Sequence, residues 1–383
     1  MNILMVTERY IPIWGGAENQ LRQLIPHLIA KGCSVEIVTR RWHPEMVRQK
    51  DIDGVTVYRL GIPGNTRFAT VVFVVALLFF FLKKGKYVDI YHSHGAVNMG
   101  AICRVAAKVQ NRKNVTKIAS AGKIPALKNS LVGKLALAMF KKSNAIICMT
   151  AEIRSELAAI NTAEKFIYRL TNGVDGKRFH RYSNEKRTEW KEAQGLIPTD
   201  RVILFSSRIV SGKGLDILLA GWNSIYEQYP DCWLFVVGSG KDQPDSIEPQ
   251  MKSLADKDGL QRVRFVGETD TPEFYLGVAD LFVFPSRHEG FPNALMEAMA
   301  AGLPVLASRI GGVTDLVEEN VTAVLFESEN SDDLARQLIS CLTSPDLLET
   351  IGKQARLQML KKYSFESIAS QYVSLYENLL GKD

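Results

Sequence analysis

At 383 residues, with 46% hydrophobic and 23% charged side chains, the chain is too long for one compact core and too apolar for a disordered one, so two globular domains are expected. Five cysteines at 33, 103, 148, 232 and 341 have neither paired nor metal-ligand spacing, which argues against a disulfide scaffold or zinc module and suits a reducing cytosol. The net charge of +6 is uneven: residues 101–150 carry ten Lys or Arg and no acid, leaving the remainder near −4, and so concentrated a field attracts an anionic surface or substrate.

The first apolar run, Ile3-Leu4-Met5-Val6, reads as a parallel strand covered on both faces. No basic region or cleavage site precedes it, so secretion is not expected. Gly15-Gly16 follow, then a helical pattern to Gly32 and a second strand, Ser34 to Val38. In this β-α-β unit the glycine pair lets backbone approach a phosphate at the helix start, although paired glycines also simply make turns. Phe68 to Leu82 is a fifteen-residue apolar run closed by Lys83, Lys84 and Lys86. It falls short of the roughly 20 residues that span a bilayer. Two readings remain, a buried domain helix and an interfacial anchor.

Tyr87 to Gly95 reads as a strand and loop carrying His92 and His94, and His94 is expected to line the site. No third ligand lies near them, so no metal is expected. Within the basic stretch, Leu127 to Lys142 has a helical pattern, with Leu127, Leu131, Leu135 and Ala138 as its apolar stripe and Lys128, Lys134, Lys141 and Lys142 opposite. The lysines are either a solvated face or, with no acid among them, contacts to an anionic membrane surface or to a phosphorylated acceptor. Nucleic acid would suit the charge, but neither a recognition motif nor a row of interleaved aromatics is present. Ala145 to Met149 is another covered strand, and the charged residues 176–200 read as a connection.

The second domain opens with Val202 to Ser206, which delivers Arg208 to a strand end; the following loop returns Lys213 to the same mouth. A guanidinium fork and an ammonium together stabilise charge building on a departing diphosphate. Strands with glycine turns follow at Trp233 to Gly240 and Val263 to Gly267. Asp280 to Phe284 then leads into His288-Glu289-Gly290-Phe291-Pro292-Asn293-Ala294-Leu295-Met296-Glu297. Pro292 fits the first helical position. The amides of Gly290, Phe291, Asn293 and Ala294 lie at the positive end of that helix and suit a diphosphate. Glu289 and Glu297 accept from hydroxyls instead. Two acids beside an anion site point to a ligand with phosphate and polyol parts, such as a nucleotide sugar.

The segment from Glu289 to Ala307, with Gly311-Gly312 beyond it, resembles the two-glutamate signature of the retaining glycosyltransferase family 4. Arg208 with Gly212-Lys213-Gly214, the Asn172-Gly173-Val174-Asp175 turn and the Gly15-Gly16 loop are similar to that family's further motifs. The resemblance implies an α/β, GT-B fold: two doubly wound Rossmann-like domains facing across a cleft. The first, acceptor-binding, would cover 1–180 with a returning helix at about 364–383; the second, donor-binding, would cover 198–363. It implies transfer of a sugar from a nucleotide-sugar donor, a UDP-hexose or UDP-HexNAc before GDP-mannose, with Arg208, Lys213 and Glu289 in catalytic roles. Gly16 joins the donor contacts, which also include Gly290, Phe291, Asn293, Ala294 and Glu297. No cofactor or metal is implied.

One departure stands out. Many relatives have a histidine after the strand that here reads Val115 to Lys123, and this chain has Ser120-Ala121-Gly122-Lys123 instead; either Ser120, Lys123 or a backbone group takes its place beside His94, or the donor preference differs. A lipid-linked or surface-polysaccharide precursor glycan is the expected acceptor, met by a cytoplasmic protein peripheral to the inner membrane face. A GT-B epimerase, a phosphorylase and a non-catalytic partner subunit remain open.

Overall fold

Alternation within unbroken apolar runs builds two cores on one sheet. In strand β1 (Asn2–Thr7), Ile3 and Met5 enter one cluster while Leu4 and Val6 enter another on the opposite face. The computed structural model describes residues 1–381 except Trp14, Ala96, Lys123 and Asp258, and except the side chain of Ala126. It divides into two units. One comprises Met1–Gly173 with Phe365–Asp383, the other Val174–Ser364.

The first unit holds β1, β2 (Ser34–Arg40), β3 (Gln49–Ile52), β4 (Val55–Leu60), β5 (Ile90–Gly95), β6 (Lys113–Ile118), β7 (Ala145–Cys148) and β8 (Ile167–Arg169). Their order is β3-β4-β2-β1-β5-β6-β7-β8, parallel except for the antiparallel edge strand β3. Helices Gly16–Ala30 and Phe365–Leu380 pack together over one face, burying Leu21, Leu24, Phe365, Tyr372 and Tyr376. Right-handed crossovers put helices Arg67–Lys84, Val97–Val109 and Leu131–Phe140 on the other.

The second unit holds β9 (Arg201–Ser206), β10 (Cys232–Val237), β11 (Val263–Gly267), β12 (Leu281–Phe284), β13 (Val305–Ser308) and β14 (Val324–Phe326), all parallel in the order β11-β10-β9-β12-β13-β14. The strand order reverses beside β9 and β12, and ligands of doubly wound sheets sit outside the carboxyl ends at such a point.

Four local readings change. Residues 176–200 are not merely a connection: Ser183 caps helix Asn184–Ala193, whose Trp190 packs 5.2 Å from the Phe235 ring within the second unit. The pattern from Leu127 to Lys142 is broken at Ser130, whose Oγ accepts from the Gly133 amide to start a new helix, Leu131–Phe140. Gly133 suits the break, because a Cβ there would lie 2.1 Å from the Leu127 carbonyl oxygen. The expected apolar stripe faces outward, with Leu131 85% and Leu135 64% exposed, while Gly133, Leu137 and Phe140 are buried. Helix Arg67–Lys84 is not a fully buried element either. It buries only Ala69, Phe73, Leu77 and Phe81, and the remaining apolar side chains are partly or largely exposed. Pro292, finally, precedes helix Asn293–Ala301 as its cap instead of opening it.

Candidate active site

Backbone hydrogen bonds carry strand β9 into the first part of the site. Ser207 N–H donates to Val237 O at 3.0 Å and Ile209 N–H to Ser239 O at 3.1 Å, so the chain stays lashed to the end of β10. Arg208 stands exposed between them, its Nη1 2.9 Å from Gln243 Oε1. One 3-10 turn, Ser211–Lys213, ends at Gly214 with φ +70°. A Cβ at 214 would lie 1.9 Å from the Pro285 carbonyl oxygen, so glycine alone fits the approach to the segment beyond β12. That approach brings Lys213 Nζ to 2.6 Å from Glu289 Oε1, with only 17% and 11% of the two side chains exposed.

Arg287, which the sequence reading passed over, braces this arrangement. Its guanidinium grips Asp216 with two hydrogen bonds of 2.9 and 2.7 Å, donates to Ser211 O at 2.6 Å, and its backbone N–H reaches Gly212 O at 2.9 Å. Burial raises the Asp216 carboxyl, but the Arg287 hydrogen bonds and charge outweigh it and hold the group below its ordinary range. The reverse balance raises Arg287, where the Asp216 hydrogen bond leads. The available signal was an arginine two residues before Glu289 and an acid three after Lys213. On the far side, a Cβ at Gly312 would lie 3.0 Å from Glu289 O, so this glycine fits a closely approaching loop.

Helix Asn293–Ala301 carries the second acid. Gly290 and Ala294 are partly buried and Phe291 is buried beside its start. Asn293 N–H donates to Phe291 O at 3.0 Å, so that amide is already engaged in the turn. Glu297 lies one helical turn beyond Asn293. Removal from water pushes its carboxyl up to about 7; Arg178 opposes the shift and Glu273 adds to it. Arg178 itself is paired to Glu273 at 2.8 Å. Glu297 therefore changes charge near neutrality.

In the first unit, Gly16 is exposed at the head of helix Gly16–Ala30. His94 is the last residue but one of β5, its Nε2 3.3 Å from Met5 Sδ; burial, with Lys117 adding to it, lowers it to about 3. Ser120 is partly buried after β6, while Lys123 lies outside the described residues. The Gly122 amide beside them is taken by the Glu156 carboxylate, a second residue the sequence reading overlooked. Lys117, seen there only as one of many lysines, is a third. It is 7% exposed, donates to Asn172 Oδ1 at 2.9 Å and lies 5.8 Å from the Tyr372 ring centre. Among the described residues no carboxylate pairs with it, and burial brings it down to about 8. Of the three surface lysines, Lys141 donates to Ile160 O at 2.9 Å and Lys128 reaches Ala159 O at 3.4 Å, at the negative end of helix Ala151–Ala159. Lys134 is exposed. Among the described residues there is no group of three His, Cys, Asp or Glu that could hold a metal ion.

The structure brings Lys213 and Glu289 into contact, puts Arg208 on the loop before them and Glu297 on the helix after them, and leaves Gly16, His94 and Ser120 on the other unit. Two Rossmann-like units of parallel strands are the GT-B architecture of glycosyltransferases. A solved structure of HepE from Anabaena in complex with UDP has this fold, with a TM-score of 0.81 at 17% identity over 99% of this chain and 100% of its own. Residues 14–178 match the family described as Glycosyltransferase Family 4 and residues 186–358 that described as Glycosyl transferases group 1. The chain thus belongs to the glycosyltransferases of the family 4 type. Among its relatives, an uncharacterised glycosyltransferase of Methanocaldococcus jannaschii is 27% identical over 98% of both chains. N-acetyl-alpha-D-glucosaminyl L-malate synthase of Bacillus anthracis is 26% identical over 77% of this chain and 76% of its own.

Proposed function

We propose that this enzyme moves a hexosyl or N-acetylhexosaminyl group from a UDP-linked donor, with GDP-mannose as second choice, onto a lipid-linked or surface-polysaccharide precursor glycan, retaining the anomeric configuration. The 2.6 Å Lys213–Glu289 pair carries the reading. It sets a cation for the leaving diphosphate beside a carboxylate for the sugar hydroxyls, at the carboxyl edge of a doubly wound sheet. The Bacillus relative's N-acetylglucosaminyl group and the UDP held by HepE favour a UDP-linked donor.

In this scheme the bond between the anomeric carbon and the diphosphate oxygen breaks as Lys213 and Arg208 take up the developing charge. The amides of Gly290, Phe291 and Ala294 assist at the helix start, Asn293 presents its side chain there, and Gly16 supplies a further backbone contact. The acceptor hydroxyl bonds to the anomeric carbon and passes its proton to an oxygen of the leaving phosphate, so no protein base is required. Glu289 orients the sugar hydroxyls and Glu297, ionised, accepts from the ribose. His94 and Ser120 are assigned to the acceptor. The two cations take the role a metal would otherwise fill, so EDTA should leave the rate unchanged.

The bulky apolar surface of helix Arg67–Lys84 and the acid-free basic stretch favour a lipid-linked acceptor and a cytoplasmic enzyme working at the inner membrane face. A panel of UDP-glucose, UDP-N-acetylglucosamine and GDP-mannose tests the donor. The preferred one should raise the melting temperature most and yield a product with its own anomeric configuration by NMR. A product of inverted configuration, or free sugar phosphate formed from inorganic phosphate, would sink the proposal.

A further inference from the structure

The helix layer on one face of the first unit has an outer surface that the sugar chemistry does not use. Helix Val97–Val109 packs against both helix Arg67–Lys84 and helix Leu131–Phe140, so the three form one layer. From Val71 to Leu82 the first of them has no polar residue. Its exposed side chains include Phe68, Val71, Val75, Phe79 and Leu82, with Phe68 68% and Leu82 67% accessible. Across the layer, Val109 is 72% and Leu131 85% exposed, and Val132 stands beside Leu131 at 77%. A soluble surface of this size leaves too much apolar area in water to be explained as scattered exposed residues.

Charge frames the apolar surface. Residues 54–151 contain fifteen Lys or Arg and a single acid, Asp89, which is engaged by the Asn2 amide at 2.8 Å. Arg67, Lys83, Lys86, Lys108, Lys134 and Lys142 are exposed on or beside the three helices. A second copy docking through the same patch would bring one positive rim against another. Anionic headgroups above an acyl layer complement both the rim and the centre.

We propose that the outer face of this helix layer docks on an anionic lipid bilayer, with Phe68, Phe79, Leu82, Leu131 and Val132 entering the acyl boundary and the lysines holding the headgroups. Helix Arg67–Lys84 is long and apolar enough to cross a membrane by length and composition. It lies on the surface instead, because Ala69, Phe73, Leu77 and Phe81 pin one stripe of it to the domain core from end to end. Lys128 is spent on the Ala159 carbonyl, Lys141 on that of Ile160 and Lys84 on Glu36, which leaves Arg67, Lys83, Lys86, Lys108, Lys134 and Lys142 as the headgroup contacts. The proposal gives the acceptor assignment above its membrane and holds whichever donor is used.

The test is co-sedimentation of the full chain with vesicles of phosphatidylcholine alone and of phosphatidylcholine mixed with phosphatidylglycerol. Binding is expected only to the mixed vesicles. Phe79→Ser with Leu82→Ser, and separately Leu131→Ser with Val132→Ser, should each weaken it about tenfold or more. Melting temperature and donor-induced thermal shift should stay as in the parent, which separates loss of docking from loss of the sugar-transfer reading. No binding to mixed vesicles, binding undiminished in both double variants, or a solution dimer that the same variants dissociate would overturn it.

Discussion

The carboxyl ends of the two sheets are built from the same strand and helix units but handle charge in opposite ways. In the second unit, Lys213 and Arg287 each face a carboxylate, at 2.6 Å and 2.7 Å. In the first, Lys117 is buried among an amide, an aromatic ring and His94, with no carboxylate partner among the described residues. Nearby, His92 Nδ1 meets Tyr376 Oη at 2.7 Å, while His92 Nε2 and Tyr372 Oη have no partner among the described residues. A closed ion pair can exchange one anion for another at modest cost, because the cation is never left bare. A buried ammonium without an acid carries its desolvation cost permanently. The second edge is thus suited to an incoming diphosphate, and the first draws on stability that the rest of its core supplies.

Breaking the pair at the second edge should have the largest effect. Lys213→Ala is expected to lower kcat by about 10²–10³, roughly 3–4 kcal/mol of transition-state stabilisation, in a product assay with the preferred donor. A fall in affinity alone with kcat kept would separate donor binding from catalysis. Next is the turn that delivers this lysine. Gly214→Ala combines a left-handed backbone with a clash against the Pro285 carbonyl and should cost about 3 kcal/mol or more, read as a lower midpoint in urea unfolding.

The first edge should respond in the other direction. Lys117 has its folded value lowered from 10.5 to about 8, so the unfolded chain binds more protons between those values and stability rises with pH across that window. Lys117→Met should flatten the rise and stabilise the protein at pH 7. The gain is up to about 3 kcal/mol, less about 1 kcal/mol for the lost Asn172 hydrogen bond. A destabilised variant with the pH slope intact would mean that the buried ammonium is well compensated, and the contrast between the edges would fail. The smallest effect concerns Glu297. Its carboxyl ionises as pH rises through about 7, so donor affinity should strengthen between pH 6 and pH 8. Glu297→Gln should remove that dependence, with a loss of about 1 kcal/mol at pH 8 and almost none at pH 6, measured by titration calorimetry.

Much of this was readable from residues alone, for identifiable reasons. The strands that make up the two sheet centres are short unbroken apolar runs, as in Ile3 to Val6 and Leu281 to Phe284, and only a strand covered on both faces suits them. Lys213 and Glu289 each lie a few residues past such a run, so their arrival at one edge followed from the fold. The Arg287–Asp216 brace did not, because seventy-one positions separate its partners and only their nearness in sequence to Glu289 and Lys213 marks them. Edge strand β3 is polar and four residues long, which leaves no periodicity to detect. Helix Leu131–Phe140 is apolar nearly all round, so its sequence had no phase: the stripe through 131 and 135 and the one through 133, 137 and 140 were equally plausible, and packing chose the second.

The chain leaves the first unit at Gly173 and re-enters it at Phe365. During synthesis the intervening residues, being continuous, can reach their native arrangement as soon as they clear the ribosome. The earlier residues must wait for the final helix, whose Tyr372 and Tyr376 cover His92. The continuous unit can therefore close without the last helix, and a released chain ending at residue 364 should show protease resistance in 174–364 while the preceding segment remains open to cleavage.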